Sequence, residues 1–160
     1  AERGFSFLHD GPLKMTYIDN PNKNQLTAYD VVNSFEEENL ADIIYGFGEE
    51  QFSRRIAKGI VEAREKSELN STTQLAQIIN ESVPKFYRHQ NSGGRSKIHP
   101  ATKTFQAIRI AVNSELERLK ISLTKTFDVL SKEGRIAVIS FHSLEDRIIK
   151  RFFRQKVSDG

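Results

Sequence analysis

Gly134-Arg-Ile-Ala-Val-Ile-Ser-Phe-His-Ser-Leu-Glu-Asp-Arg147 is the stretch on which the reading of the fold turns. Lys132, Glu133 and Gly134 form a tight turn into a strand, Arg135 to Phe141, whose four consecutive apolar positions fit a strand covered on both faces. A lone buried strand cannot satisfy its own backbone donors and acceptors, so it requires neighbours, and no other convincing strand is legible in the chain. The missing sheet is therefore expected upstream, and the chain is read as a segment of a longer protein. Helix, glycine turn, buried strand and then a polar loop is the late part of an open α/β sheet, in which ligands lie outside the carboxyl ends of the strands.

Working outward, the strand is preceded by a long amphipathic helix of about 30 residues that opens near Pro100, with a stripe through Phe105, Ile108, Val112, Leu116, Leu119, Leu123, Phe127 and Leu130. It is followed by a last helix carrying Ile148, Ile149, Phe152 and Phe153, with Ser143 and Asp146 as its caps. Further upstream, Thr27 caps a short helix through Asn33, and Ser34 with Glu37 has the pattern of a capping box for a second. A third helix spans roughly 49–66 and a fourth 73–82, ended by Pro84. Residues 87–98 read as a mobile basic loop and residues 1–24 as a punctuated loop. The segment itself is thus mostly α-helical, with the helices between about 25 and 100 as an inserted cap.

The 160 residues are 38% hydrophobic and 28% charged, without Cys or Trp. This excludes a disulfide framework, a thiolate metal site and a cysteine nucleophile, and fits a reducing, cytoplasmic setting. No apolar run approaches membrane-spanning length, and the first residues do not form a signal peptide. The net charge of +3 is unevenly spread. No basic residue lies between Lys23 and Arg54, where Glu36, Glu37, Glu38, Asp42, Glu49 and Glu50 stand; between Glu81 and Glu115 there are six cations and no acid. A second basic run, Arg147, Lys150, Arg151, Arg154 and Lys156, follows Asp146. Such blocks steer a polyanion to one face, or else form solvated helix surfaces.

Ser140, His142, Ser143 and Asp146 at the strand's end offer proton-transfer groups beside a helix N-terminus, with Arg147 as a phosphate ligand; the alternative is that they only cap the helix. No Gly-x-Ser-x-Gly elbow accompanies them. Arg88, Arg95, Lys97 and His99, with Phe86 and Tyr87 beside them, combine cations with rings on which a base can stack. His89 and His99 lack neighbouring carboxylates, so no metal centre is expected there. The glycines carry neither dinucleotide nor P-loop spacing, so no cofactor site is legible in the chain itself. Phe5 and Phe7 among small residues make the loop before Asp10-Gly11-Pro12-Leu13 either a gate over a pocket or a loop pinned to a core.

ERGFSF at 2–7, DGPL at 10–13, TAYDVVN at 27–33, GEEQFSRRIA at 48–57, HPATKTFQAIRIAVNSEL at 99–116 and GRIAVISFHSLEDRIIKRFF at 134–153 resemble the bacterial small-subunit ribosomal RNA cytosine-N4 methyltransferases, in order and over nearly the whole chain. The resemblance implies an α/β protein: the late part of a Rossmann-like, S-adenosylmethionine-dependent methyltransferase sheet with a helical inserted cap. Residues 1–24 would be a loop following an upstream strand, 25–104 the cap, and 105–160 the return to the methyltransferase domain. It implies that S-adenosylmethionine is bound mainly by residues upstream of the segment. The implied partner is 16S ribosomal RNA of the small subunit, with no membrane, and a homodimer is compatible with it. Ser140, His142, Ser143 and Asp146 would serve catalysis, and Asp10, Gly11, Pro12, Arg88, Arg95, Lys97, His99, Arg109 and Arg147 would hold substrate. The family's Asp-Met-Arg-Met-Asp stands here as Lys14-Met-Thr-Tyr-Ile-Asp19, so either this loop does not orient the target or Asp19 serves from a shifted register. The competing class is a non-catalytic helical RNA-binding module that folds alone.

Overall fold

Thr27 accepts from the backbone of Asp30 while the Asp30 carboxylate accepts from the N–H of Thr27 (2.8 Å), and this reciprocal cap starts α1, Ala28–Ser34. The computed structural model describes residues 3–19, 24–90 and 99–159. Ser34 ends α1 rather than capping its successor: α2, Glu37–Gly48, begins after Glu36 with no side-chain cap, and its own Glu37 and Glu38 complement the helix dipole instead. Then come α3, Ser53–Arg64, and α4, Thr72–Ser82, the latter capped by the Ser71 hydroxyl. The basic stretch expected to be loop starts with a short helix, α5, Lys85–Gln90; residues 91–98 lie outside the described part.

The long helix expected from the apolar stripe is two helices. α6, Ala101–Asn113, and α7, Glu115–Asp128, are separated at Ser114, which takes left-handed backbone angles (φ 49°, ψ 41°). The stripe runs on, but the chain divides there into two units, residues 1–113 and 114–160.

In the first unit α2 packs on α6 and α3, and α3 packs on α4. Leu40, Ile44, Ile56, Ile60, Leu75, Ile79 and Ile108 are wholly buried between them, and each is worth about 2–3 kcal/mol of transfer free energy. Gly48 permits the close approach of α2 to α6, since a Cβ there would stand 2.6 Å from the carbonyl oxygen of Lys103. Residues 3–19 form no helix, but they are tied in at several points. Met15 N–H donates to Arg3 O (2.8 Å), Ala28 N–H to Lys14 O (2.9 Å) and Thr72 N–H to Gly11 O (2.9 Å), and Leu13 and Met15 are buried in the core. Asn113, at the end of α6, holds the same segment from the other side. Its amide donates to Met15 O (2.7 Å) and Arg109 O (2.8 Å), and its carbonyl accepts from Tyr17 N–H (2.9 Å).

In the second unit α7 packs on α8, Ser143–Asp159. Leu123 and Leu144 are buried there, Phe127 meets Phe152 edge to face at 5.9 Å, and Lys156 lies over the Phe127 ring. Between the helices the strand expected at 135–141 is not formed: these residues carry no regular secondary structure, and no ladder of strands exists among the described residues. Ile136 and Val138 are half-buried, whereas Ile139 is 81% and Phe141 91% exposed, so one face of the expected strand is covered and the other is bare.

Candidate functional site

Where residues 135–141 run into α8, the chain's polar groups meet. Glu145, in the first turn of α8, reaches back so that its Oε2 accepts from the N–H of Phe141 (2.8 Å), and its own N–H donates to His142 Nδ1 (3.4 Å). The carboxylate that caps this helix start is therefore Glu145, not Asp146 as the spacing suggested. The Asp146 N–H donates to His142 O (3.2 Å), and its carboxylate pairs along the helix with Lys150 (2.8 Å). His142 is nine-tenths buried, its Nε2 has no hydrogen-bond partner, and Glu145 Oε1 stands 3.6 Å from that nitrogen. Glu115, opening α7, completes the cluster: one ligand atom from each of Glu115, His142 and Glu145 falls within 4.8 Å of the others. Ser140 is half-buried and Ser143 exposed at the same corner. Glu145 and Glu115 were missed by sequence reasoning. The first sat beside a better-placed candidate, and the second lies in another helix, with no signal to link it to His142.

The remaining candidates belong to the first unit, apart from Arg147, which is exposed on α8. The Asp10 carboxylate accepts from the Thr73 hydroxyl (2.5 Å) and the Thr73 N–H (3.3 Å), Gly11 O accepts from Thr72 N–H, and Pro12 bridges to Ser71. The loop is thus fastened to the start of α4. The Thr73 hydroxyl, then that of Ser71, holds Asp10 below the usual carboxylate range. Asp10 therefore adds stability that is complete above the unfolded value, about 4, and is lost as pH falls through its lower folded value. Asp10→Asn is expected to lower the melting temperature at neutral pH and to flatten its fall below pH 4, so that variant and parent converge in acid. Thermal melts between pH 2.5 and 6 measure this; a parallel acid limb in the variant would count against it.

Asp19 pairs with the Arg3 guanidinium, itself bonded to Tyr17 O (3.3 Å). The Arg88 Nε donates to Val83 O (3.0 Å) just past α4, so this candidate RNA ligand also serves as a C-terminal cap. His99 Nδ1 accepts from Ala101 N–H (3.1 Å) at the start of α6, its ring lies 4.8 Å from Phe7, and burial lowers its pKa. Phe7 in turn meets Phe105 edge to face, so that ring pins the loop to the core. Arg109 is half-buried in α6. Arg95 and Lys97 lie outside the described residues. Glu50, one of the acids read as solvated, is wholly buried: it accepts from Phe52 N–H (3.0 Å) and from the Tyr87 hydroxyl (2.9 Å). Burial first, and then Glu50, pushes the Tyr87 hydroxyl up to about 12.

For a cofactor, the described residues supply little. Gly46, Gly48 and Gly59 lie within helices and Gly134 in a turn, so none of these forms a glycine-rich crossing from strand to helix. No helix among the described residues is long and apolar enough to cross a membrane.

A family profile described as the MraW methylase family matches residues 1–159. Among curated relatives, the "Ribosomal RNA small subunit methyltransferase H" of Coprothermobacter proteolyticus is 49% identical over 161 residues, covering 100% of this chain and 50% of the relative. The proteins of that name from Rickettsia conorii (52% identical) and Rickettsia canadensis (50%) align over 155 residues, 97% of this chain and 47% and 46% of theirs. The chain spans about half the length of the curated relatives it matches.

Proposed function

We infer the function from one premise: this chain belongs to the MraW methylase family. The protein of which it forms part transfers a methyl group from S-adenosylmethionine to the exocyclic N4 of a cytidine in 16S ribosomal RNA of the small subunit. The observation that carries this reading is identity of about 50% along the whole chain to proteins named as small-subunit ribosomal RNA methyltransferases. S-adenosylmethionine, when bound, supplies a methyl group on a sulfonium. The described residues do not by themselves fit that group, and its holding residues belong to the part of the family fold that this chain does not cover. The bare face of residues 135–141 supports the same assignment. Ile139 and Phe141 would lie against the rest of a Rossmann-like sheet, with residues 25–104 as a cap inserted before the return at 105–160, and residues 1–24 as the loop that follows an earlier strand.

The cytidine amine is a poor nucleophile because its lone pair is delocalised into the ring. Catalysis therefore rests on holding it in line with the methyl donor and on a polar group that takes up its hydrogen. Ser140, His142, Ser143 and Asp146 are this chain's share of that end of the site. Asp10, Gly11 and Pro12, fixed on α4, would hold substrate. Arg88, Arg95, Lys97, His99, Arg109 and Arg147 would hold the RNA. On α8, Arg147, Lys150, Arg151 and Arg154 are all exposed at one helical spacing, a ridge suited to phosphates. A homodimer and a cytoplasmic location complete the reading, the former checked by equilibrium sedimentation.

The test uses the full-length protein, small ribosomal subunits lacking the modification and methyl-labelled cofactor. Label recovered as N4-methylcytidine in 16S RNA is the expected result. RNA binding with no transfer would instead make this a non-catalytic binding module.

A further inference from the structure

We propose that Glu115, His142 and Glu145 form a binding site for one divalent transition-metal ion, Zn²⁺ or Mn²⁺ in type, at the corner where α7 and α8 begin. The carboxylates alone would not carry this. What does is the imidazole between them: nine-tenths buried, with an Nε2 that has no hydrogen-bond partner and faces Glu145 Oε1 at 3.6 Å. That distance is too long for a hydrogen bond, which wants about 2.7–3.2 Å. It is the separation of two ligands on a common ion, because bonds of about 2.0–2.1 Å in a tetrahedral arrangement place their donor atoms about 3.4 Å apart. Glu115 brings the third ligand atom within 4.8 Å of the other two.

The donor set selects the class of ion. One imidazole nitrogen with two carboxylate oxygens suits Zn²⁺ and Mn²⁺, whereas Mg²⁺ prefers oxygen ligands and retains its waters. Glu115 and Glu145 lie in the first turns of α7 and α8, at the positive ends of the helix dipoles. Those positive helix ends oppose a cation and weaken its binding. Ligation through Nε2 requires the ring proton on Nδ1, and so gives up the 3.4 Å bond from Glu145 N–H, a contact already beyond the favourable range. The other cap bond, Phe141 N–H to Glu145 Oε2, uses the oxygen that does not face His142 and survives binding.

Isothermal titration of the full-length protein, stripped with chelator and without cofactor or RNA, tests this with Zn²⁺ and Mn²⁺ chlorides as the probes. One equivalent binding at micromolar affinity is expected, with Mg²⁺ at least tenfold weaker. Glu145→Gln and His142→Gln should each weaken Zn²⁺ at least tenfold, and Glu117→Gln, an exposed acid in the same turn as Glu115, should not. Unchanged circular dichroism of the metal-free variants separates lost ligands from lost fold; should His142→Gln unfold, Glu145→Gln and Glu115→Gln decide. No saturable binding, or binding indifferent to Glu145→Gln and Glu115→Gln, overturns the proposal, and neither result depends on methyl transfer.

Discussion

Gly4→Ala is expected to destabilise the first unit by about 3 kcal/mol or more, read as a fall in the urea midpoint of the protein without a change in slope. Two costs combine. Gly4 holds φ at +68°, where an alanine pays on the order of 1 kcal/mol. Its new Cβ would also stand 1.9 Å from the carbonyl oxygen of Pro12, with the Thr72 side chain 3.3 Å away. Pro12 cannot yield alone, being bridged to Ser71 next to the start of α4, so the displacement spreads to the helix that carries Leu75 and Ile79. Gly46→Ala provides a contrast of opposite sign. A Cβ there meets nothing within 4 Å on the exposed face of α2, and removing a helical glycine should stabilise by about 0.5–1 kcal/mol. If both variants shifted the midpoint in the same direction, the account of Gly4 would fail.

Asn113→Ala is expected to cost about 3–4 kcal/mol, a loss near 12 °C in melting temperature for a unit of this size. The substitution removes three hydrogen bonds, and in particular strips the buried carbonyl of Met15 of its 2.7 Å donor and the Tyr17 N–H of its acceptor. Asn113→Asp should do no better at pH 7. A carboxylate keeps the acceptor for Tyr17 but sets negative charge against the carbonyls of Met15 and Arg109, where the amide donates. Calorimetry on both variants checks this, and an aspartate variant as stable as the parent would show that the donor side of Asn113 contributes nothing.

The helices were legible in the sequence because their signals are local. Thr27 with Asp30, and the apolar spacing of Ile56 and Ile60 or of Leu75 and Ile79, depend on neighbours within a turn or two. Ser114 was not legible. An apolar stripe keeps its period across a single left-handed residue, so the pattern that reads as one long helix also suits two helices serving two cores, with Ile108 buried in one and Leu123 in the other. Glu50 shows the limit for charge. Its place among acids suggested a solvated surface, yet the Tyr87 hydroxyl, far off in sequence, makes its burial tolerable. At the candidate site, two adjacent acids were candidates for one cap, and only the observed geometry distinguishes Glu145, turned toward His142, from Asp146, turned toward Lys150. The strand expected at 135–141 is not formed among the described residues, because a strand needs partners to pair with and four apolar residues in a row cannot supply them.

Asn113 has one further consequence, for how the protein ages. An asparagine followed by serine is prone to spontaneous deamidation: the backbone nitrogen of the next residue attacks the side-chain amide, ammonia leaves, and water opens the resulting succinimide to aspartate or isoaspartate. In the fold that amide is immobilised by Met15, Arg109 and Tyr17, and the nitrogen belongs to Ser114, whose backbone is locked in the left-handed region. The reaction is therefore suppressed while the first unit is folded and released whenever it opens. Each excursion to the unfolded state exposes the chain to a covalent change that installs the aspartate argued above to be destabilising, so heat treatment should erode refolding yield cycle by cycle. The resulting one-dalton gain in mass, localised to the peptide containing Asn113, would record how long a given preparation has spent unfolded.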